Sequence, residues 1–391
     1  MATEQINIIQ RNIMKKSLVT LALAAALPLS SAHAELTFNG FANIVAGKAS
    51  NGDTQWGYDD DVDFKEDSLF ALQTSADLGD GLSVTAQIIA RGEDDWETDF
   101  EWAYLSYSLN DQTTVMVGRQ RAPLFMYSEY LDVSYAMPWI TVPEGLYATE
   151  FSSYDGVSVS HNFSLGEFES SIQVIGGAET TEMNIAGDDI DVDFNNMYGA
   201  NLTLTRDWLT LHTAFLSAKV TVPNSRADGL GNAWLATPGF EFVADQITVE
   251  DDTMDFAEVG IQIDYNNWLV IAEYSRQNYE TMTVDNEEAM YATIGYRFDD
   301  ILVHATYGMV ENDVNPVINQ LPQATTESLA AQVDLTRQFL NFRMQDNTYY
   351  TIGARWDFHE SAAFKVEFSA QDNELTNEDT SLVRTALVTV F

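Results

Sequence analysis

The sequence predicts an all-β protein, a transmembrane antiparallel up-and-down β-barrel of about 16 strands. Three observations support this fold class. Segments of about ten residues alternate apolar and polar side chains, as tilted membrane strands do. Short and long connections follow one another in turn, and aromatic residues cluster where strands end. The 391 residues suit one barrel, because all-β barrels often run long as a single unit.

The alternation is clear in residues 256–265. Ala257, Val259 and Ile261 fall on one face of a strand, and Glu258 and Gln262 fall on the other. Residues 82–91 and 364–371 repeat the pattern. A soluble sandwich also alternates, but its strands are shorter, roughly 5–6 residues. The length and the polar face here favour a barrel with a wet interior.

Connection lengths predict the strand number. Tight turns near 79–81, 110–112, 164–166, 206–207, 266–267, 299–300 and 359–361 separate longer polar loops. Seven short turns and eight long loops join sixteen strands, with both chain ends on the short-turn side. The predicted strands are 36–46, 66–78, 82–91, 97–109, 113–119, 153–163, 167–178, 194–205, 208–218, 253–265, 268–277, 286–298, 301–310, 347–358, 362–372 and 381–391.

One stretch leaves two readings open. Residues 326–345 fit either a short helix in a loop or an additional pair of strands. The second reading raises the strand number to eighteen.

Aromatic residues at strand ends predict an interfacial girdle, because amphipathic rings favour the boundary between lipid and water. The alternative is that they are ordinary core residues. The candidates are Phe38, Tyr107, Phe163, Tyr198, Trp208, Tyr265, Trp268, Tyr274, Tyr296, Phe298, Trp356, Phe358 and Phe391.

The N-terminus predicts export. Met14-Lys15-Lys16 precede an apolar stretch from Ser17 to Leu29, and Ala32-His33-Ala34 fits a cleavage site. We therefore expect a signal peptide over 14–34 and a single barrel domain over 35–391. Residues 1–13 are interpreted as an upstream extension, with Met14 as an alternative start.

Charge and cysteine content exclude several classes. The net charge of −42 argues against nucleic-acid binding, which requires a basic face. No cysteine is present, so disulfides and thiol chemistry are excluded. After residue 34 no apolar run approaches the roughly 18 residues of a membrane-spanning helix.

The C-terminus resembles that of outer-membrane barrels. The last strand ends in Phe391, with Leu387 and Val383 at alternate positions, whereas Thr385 and Thr389 depart from the family pattern. The resemblance implies that Phe391 is part of the signal read by the barrel-assembly machinery.

The segment from Gly118-Arg119 through Pro138-Trp139 to Pro143 resembles the third loop of trimeric Gram-negative general porins. The resemblance implies that this loop folds into the lumen and constricts it. It further implies an outer-membrane homotrimer in contact with lipid and lipopolysaccharide, passing small polar solutes and ions by diffusion. Gly40 and Ala42, on the outer face of strand 1, suit close approach of subunits.

A constriction needs opposing charges, and two sets of candidates follow. The loop acids are Glu129, Asp132 and Glu144. The basic wall consists of Arg91, Arg297 and Arg355, and of Arg119 and Arg121 at the foot of the loop. Strand parity places Arg91, Arg297 and Arg355 on the lumen face, together with Lys365 and Arg384. The alternatives are structural ion pairs or rim charges for the arginines and a solvated outer surface for the acids. The acid surplus predicts mild cation selectivity.

Other chemistry is weakly indicated. The acidic runs at 59–63, 188–193 and 250–252 offer oxygen ligands for Ca²⁺ or Mg²⁺, but a soluble, self-repelling surface is the favoured explanation. His212 and His304 face the lumen by parity, yet no hydrolase motif accompanies them. We expect no cofactor, metal or catalytic site. An outer-membrane enzyme or an adhesin-like barrel is the alternative function.

Overall fold

Every strand pairs with its neighbours in sequence, and the first pairs with the last. The computed structural model describes residues 35–50, 56–185, 188–280, 284–341, 344–375 and 378–391. They form one closed barrel of sixteen antiparallel strands, which confirms the predicted fold class. The closing pair runs from Phe41 opposite Val390 to Ala49 opposite Leu382.

The strands, numbered β1 to β16 in chain order, are Glu35–Ala49, Leu69–Gly79, Leu82–Arg91, Thr98–Asn110, Thr113–Arg121, Ser153–Leu165, Phe168–Ile185, Asp188–Arg206, Leu209–Val222, Val249–Tyr265, Trp268–Tyr279, Val284–Phe298, Ile301–Val314, Asp346–His359, Ala362–Asn373 and Glu378–Val390. The proposed upstream extension (1–13) and signal peptide (14–34) lie outside the described residues.

The two faces of the sheet differ as the alternation predicts. Large apolar side chains stand exposed on the outer face, among them Val259, Ile294, Ile352 and Phe368 at 48–62% exposure. The residues beside them on the inner face are polar and buried: Glu258, Thr293, Thr351 and Glu367. An apolar surface of this kind on a closed barrel suits contact with lipid chains.

The short turns are stabilised by residues that tolerate a positive φ. Asp80, Asn266 and Asp299 adopt φ of 53°, 54° and 52°. Asn and Asp enter the left-handed region more easily than other non-glycine residues, so tight hairpins are formed at these positions.

The prediction of a long loop between the strands 167–178 and 194–205 is wrong. β7 and β8 continue as a paired hairpin to Ile185 and Asp188, so the acidic run 188–193 lies in a strand. Cross-strand hydrogen bonds from Thr180 to Asp193 and from Asn184 to Asp189, both 2.7 Å, help to hold it. Acidic residues are compatible with an exposed hairpin because their carboxylates stay hydrated.

The stretch 326–345 contains a helix, which settles the two readings in favour of sixteen strands. Two further short helices are α1 (Glu144–Tyr147) and α2 (Ser225–Leu235), and α3 spans Glu327–Leu340. α2 and α3 pack together where the Trp234 indole donates to the Thr336 hydroxyl at 2.7 Å. In the part of the chain that the structure describes, no helix combines the length and apolar character needed to cross a bilayer.

Aromatic rings contact each other at the rim of the barrel where the short turns lie. Trp268 and Tyr296 have centroids 4.8 Å apart, and Trp208 and Tyr265 are 6.0 Å apart. These rings lie at the ends of β9 to β12, where a girdle was predicted.

Phe391 closes the seam between β1 and β16. Its backbone exchanges two hydrogen bonds with Gly40, of 2.8 and 2.9 Å, and its ring lies 5.9 Å from that of Phe70. A Cβ on Gly40 would stand 2.4 Å from the Phe391 ring. The space beside Gly40 is therefore filled from within the chain by the Phe391 ring, and a role of Gly40 in subunit approach stays a prediction.

Candidate functional site

The third loop, residues 122–152, links β5 to β6 and is irregular in conformation. It contains 3₁₀ turns at Ser128–Tyr130 and Ser134–Ala136 and the short helix α1. Pro123, Pro138 and Pro143 lack a backbone N–H, which disfavours strand pairing here. The loop instead makes hydrogen bonds to buried side chains of β11, β12, β13 and β15.

Two arginines and two acids form a compact network where the loop meets β3 and β4. Arg91 lies 2.9 Å from both Glu101 and Asp132. Arg121 also pairs with both acids, at 2.9 Å from Glu101. Burial raises the pKa of Asp132, but the Arg121 and Arg91 guanidinium groups lower it further, so the net shift is downward. Three of these residues were predicted for the constriction, and the structure joins them directly.

Glu101 is the member that strand parity did not reveal. In the pairing of β3 with β4, Gln87 lies opposite Trp102 while Ile88 lies opposite Phe100. Glu101 is therefore the extra residue of a β-bulge, which shifts the alternation locally. Its carboxylate also accepts from the hydroxyls of Ser152 and Ser153, both at 3.2 Å. A bulge leaves little trace in the apolar pattern, so the sequence offered no signal for it.

Arg119 makes its contacts outside the loop network, and its place in the lumen wall stays a prediction. It pairs in register with Asp155, and the next residues on the same face of the sheet, Val117 and Val157, are 51% and 45% exposed. Its guanidinium binds the Glu179 carboxylate through two hydrogen bonds of 2.9 and 3.0 Å. Arg119 and Arg121 are close in sequence, but only Arg121 joins the loop network.

Basic side chains from β14 and β15 donate to backbone carbonyls of the loop. Arg355 donates to the carbonyls of Tyr135 and Met137 at 2.6 and 2.8 Å. Lys365, 1% exposed, donates to the carbonyls of Ser134 and Met137 at 2.6 and 2.9 Å, and also to that of Trp139. Both residues were expected to face the lumen, and both here hold the loop to the wall.

β16 and β15 supply a second set of loop contacts. Arg384 binds Glu367 at 3.1 Å and Asp67 at 3.0 Å, and it donates to the Thr141 hydroxyl at 2.9 Å. The other oxygen of Glu367 accepts the backbone N–H of Ile140 at 2.8 Å. Strand parity predicted that Arg384 faces the lumen. It could not predict the ion pair with Asp67, because Asp67 lies on the first loop, far from Arg384 in sequence.

Aromatic residues pack the loop against β11 to β13. Glu273 accepts from the Tyr147 hydroxyl at 2.6 Å and from the Met126 backbone at 2.9 Å. The Trp139 indole donates to the hydroxyls of Thr293 and Thr306, at 3.2 and 3.0 Å. Of the aromatic residues in the loop, Phe125, Tyr127, Trp139 and Tyr147 are buried, whereas Tyr130 is 51% exposed.

The remaining predicted residues are dispersed. Glu129 is exposed and lines a cavity beside Arg121. Arg297 pairs with Asp264 at 2.6 Å, one residue from the short-turn ends of β12 and β10, so it lies at the rim. Strand parity predicted the face on which Arg297 lies, but it carries no information on the position of a residue along the barrel axis. The side chain of Glu144 lies outside what the structure describes.

The lumen histidines each lie near a carboxylate. His212 Nδ1 is 2.7 Å from Glu258, and His304 Nε2 is 3.6 Å from Glu367. Within the described ranges, no group of three or more His, Asp or Glu side chains is arranged to hold a metal ion.

Comparison with known proteins identifies one family for this chain. A family model described as Gram-negative porin matches residues 19–376. Similar solved structures include the outer membrane channel DcaP of Acinetobacter baumannii, with 14% identity over 93% of this chain and 99% of that one, and a TM-score of 0.59.

An anion-selective porin from Comamonas acidovorans is 11% identical over 92% of this chain and 100% of that one, with a TM-score of 0.57. The trimer form of OmpT, an outer membrane protein of Vibrio cholerae, is 13% identical over 92% and 99%, with a TM-score of 0.53. At such identities the likeness concerns the fold. No curated protein sequence matches the chain.

Proposed function

Because the chain belongs to the Gram-negative porin family, we propose that it forms a water-filled channel for passive diffusion of small polar solutes and ions across the outer membrane. The observation that carries this proposal is the third loop. Its hydrogen bonds reach inner-face side chains from β1 and β3 around to β15 and β16. In this proposal the loop lies across the lumen and narrows it.

Charge supports mild cation selectivity as a part of the proposal. The loop network of Arg91, Arg121, Glu101 and Asp132 is electrically balanced, so it adds no net charge. The chain as a whole carries 60 acidic and 18 basic residues, and Glu129 is exposed beside the network. A negative potential at the channel mouth concentrates cations.

Assembly and export complete the proposal. A homotrimer is favoured because the family resemblance implies it and because a similar solved structure is a trimer form. Ala42 on the outer face of β1 offers a small side chain for subunit contact. Export through a cleaved signal peptide over residues 14–34 remains part of the same proposal.

The test is conductance of the refolded mature chain in planar bilayers, with the reversal potential measured across a KCl gradient. We expect openings in groups of three and a reversal potential that indicates cation preference. Glu129→Gln should reduce that preference. Asp155→Asn, which removes an exposed carboxylate outside the loop network, is the matched control and should leave the preference unchanged. Insertion without conductance would overturn the channel proposal.

A further inference from the structure

A cavity of about 270 Å³ lies between the third loop and the inner faces of β13 to β16. Val310 of β13, Asn347 and Tyr349 of β14, and Ser369 and Gln371 of β15 line it and belong to the halves of these strands nearer the long loops. Trp139 and Thr141 to Ala148 of the third loop line its other side. The cavity therefore faces the long-loop end of the barrel.

The described lining is electrically neutral, which is unexpected in a chain with a net charge of −42. Its charged members among the described residues are Glu367 and Arg384, and these two bind each other at 3.1 Å. The remaining polar lining consists of hydroxyls and amides: Thr141, Thr306, Gln345, Asn347, Thr351, Ser369 and Gln371. Such groups donate and accept hydrogen bonds without preferring either sign of charge.

Aromatic side chains flank these polar groups. Trp56, half-buried on the first loop, and Tyr349 both line the cavity, and Trp139 lies at its base. Gly308 makes room for the Tyr349 ring because it has no side chain. A Cβ at this position would stand 2.1 Å from the ring. A flat apolar ring beside a set of neutral hydrogen-bonding groups matches a molecule with apolar C–H faces and a hydroxyl-bearing edge.

We propose that this cavity binds a neutral polyhydroxylated solute, such as a monosaccharide or small oligosaccharide, at the outer side of the third loop. The proposal deepens the channel function and rests on it. The volume is near the lower end of the range for ligand sites, roughly 300 Å³, which limits the occupant to about one or two sugar rings.

A second cavity provides an internal comparison. It holds about 230 Å³, and its lining includes Trp102, Tyr104, Gln120, Gln173, Arg121 and the exposed acid Glu129. Its aromatic and amide content is similar, but its two charged lining residues do not pair with each other, because Arg121 binds Glu101 and Asp132 and the Glu129 carboxylate is exposed. The same substitutions, tryptophan to alanine and glutamine to alanine, can therefore be made in both cavities and compared.

The experiment measures block of KCl current through the wild-type channel by maltose, with glucosamine as a cationic and gluconate as an anionic probe. Saturable block by maltose, at lower concentration than either charged probe, is expected. Trp56→Ala and Gln371→Ala should each raise the half-blocking maltose concentration, by up to about tenfold for the tryptophan. Trp102→Ala and Gln173→Ala should leave it unchanged.

Separate outcomes distinguish the two proposals. If the chain inserts but does not conduct, the channel proposal falls, and maltose binding is then measured by quenching of tryptophan fluorescence in the refolded protein. If KCl current flows but maltose reduces it only in proportion to solution viscosity, the sugar site is overturned and the channel stands. Stronger block by glucosamine, or equal effects of the two sets of variants, also overturns the site.

Discussion

At the scale of single residues, the loop network shows how buried charge is balanced. Asp132 and Arg121 have side chains only 10% and 7% exposed, so each loses hydration and depends on its partners. Removing one member leaves a charge buried without compensation. The network should thus matter more to stability than an exposed pair of the same composition.

Replacement of Asp132 tests this directly. Asp132→Asn keeps the shape but leaves Arg91 and Arg121 short of one negative charge, and we expect a loss of about 3–5 kcal/mol in the free energy of unfolding. Urea unfolding of the refolded protein in detergent measures it. Asp155→Asn is the control, because Asp155 is 67% exposed and 3.4 Å from Arg119; the expected loss is under about 1 kcal/mol. Equal losses would contradict the network's role.

The lowered pKa of Asp132 gives that contribution a definite pH dependence. A carboxyl group whose pKa is depressed in the folded state stabilises the protein fully above its ordinary value of 3.8, and the contribution is lost as pH falls through the folded pKa. The stability difference between wild type and Asp132→Asn should be constant near neutrality and shrink only in acid below that value. Denaturant titrations at a series of pH values measure it, and a difference that shrinks near neutrality would refute the assignment.

At the scale of elements, β5 depends on a glycine at the point where the third loop begins. Gly118 has φ of 132°, and a Cβ there would lie 2.4 Å from the carbonyl oxygen of Ala103 and 2.9 Å from the Cα of Tyr104. Both neighbours are backbone atoms of β4 and cannot move independently. The strand pairing and the position of Arg119 and Gln120 rely on this close approach.

Gly118→Ala should therefore destabilise the barrel and lower the yield of refolded protein. Gly229→Ala is the matched control, because Gly229 lies within α2 and a Cβ there meets nothing within 4 Å. Alanine in a helix is favoured over glycine by up to about 1 kcal/mol, so this variant should be neutral or slightly more stable. The two unfolding midpoints in urea decide the matter, and similar midpoints would show that the contact is relieved easily.

The third loop is a separate element, and Lys365 is its most buried cationic contact. Lys365→Met keeps the apolar stem but removes the donor to the carbonyls of Ser134, Met137 and Trp139. We expect a looser loop, seen as faster protease cleavage within residues 122–152 and as noisier single-channel current. Lys48→Met, at an exposed lysine, is the control. Unchanged cleavage would mean that Arg355 and the aromatic packing suffice.

At the scale of the whole molecule, closure of the barrel depends on its last residue. Phe391 joins β16 to Gly40 of β1 by backbone hydrogen bonds and covers the glycine with its ring. The seam brings together segments that are about 350 residues apart in sequence, and such distant pairing is slow to form. Side-chain contact at the seam is therefore expected to assist the final step.

Phe391→Ala should reduce the fraction of chains that refold into detergent micelles and slow their refolding. Gel mobility of unheated samples, which separates folded from unfolded barrels, measures both quantities. Phe358→Ala is the control, because Phe358 is a 44% exposed ring near the same short-turn rim without a seam contact. Equal defects in the two variants would show that only apolar surface is lost. The role of Phe391 as an assembly signal remains a prediction.

Much of the architecture could be predicted because it depends on local pattern. The period of two in segments such as 256–265, the turn residues Asp80, Asn266 and Asp299, and the rim aromatics predicted about sixteen strands and their faces, and the helix within 326–345 then excluded eighteen. In a barrel each strand pairs with its neighbour in sequence, so the order needs no information from distant residues. The prediction missed the β7–β8 extension, because hydrated acidic residues are compatible with both a loop and an exposed hairpin.

The site was predicted less completely, because it depends on contacts between segments far apart in the chain. Sequence alone determined the sheet, the lumen-facing side of Arg91, Arg355 and Lys365, and the irregular third loop. Only the tertiary structure decided that Glu101 enters the network through a bulge, that Arg119 binds Glu179 and not the network, and that Lys365 binds loop carbonyls. Alternation specifies a face, whereas height along the barrel and choice of partner follow from register, bulges and the path of the loop.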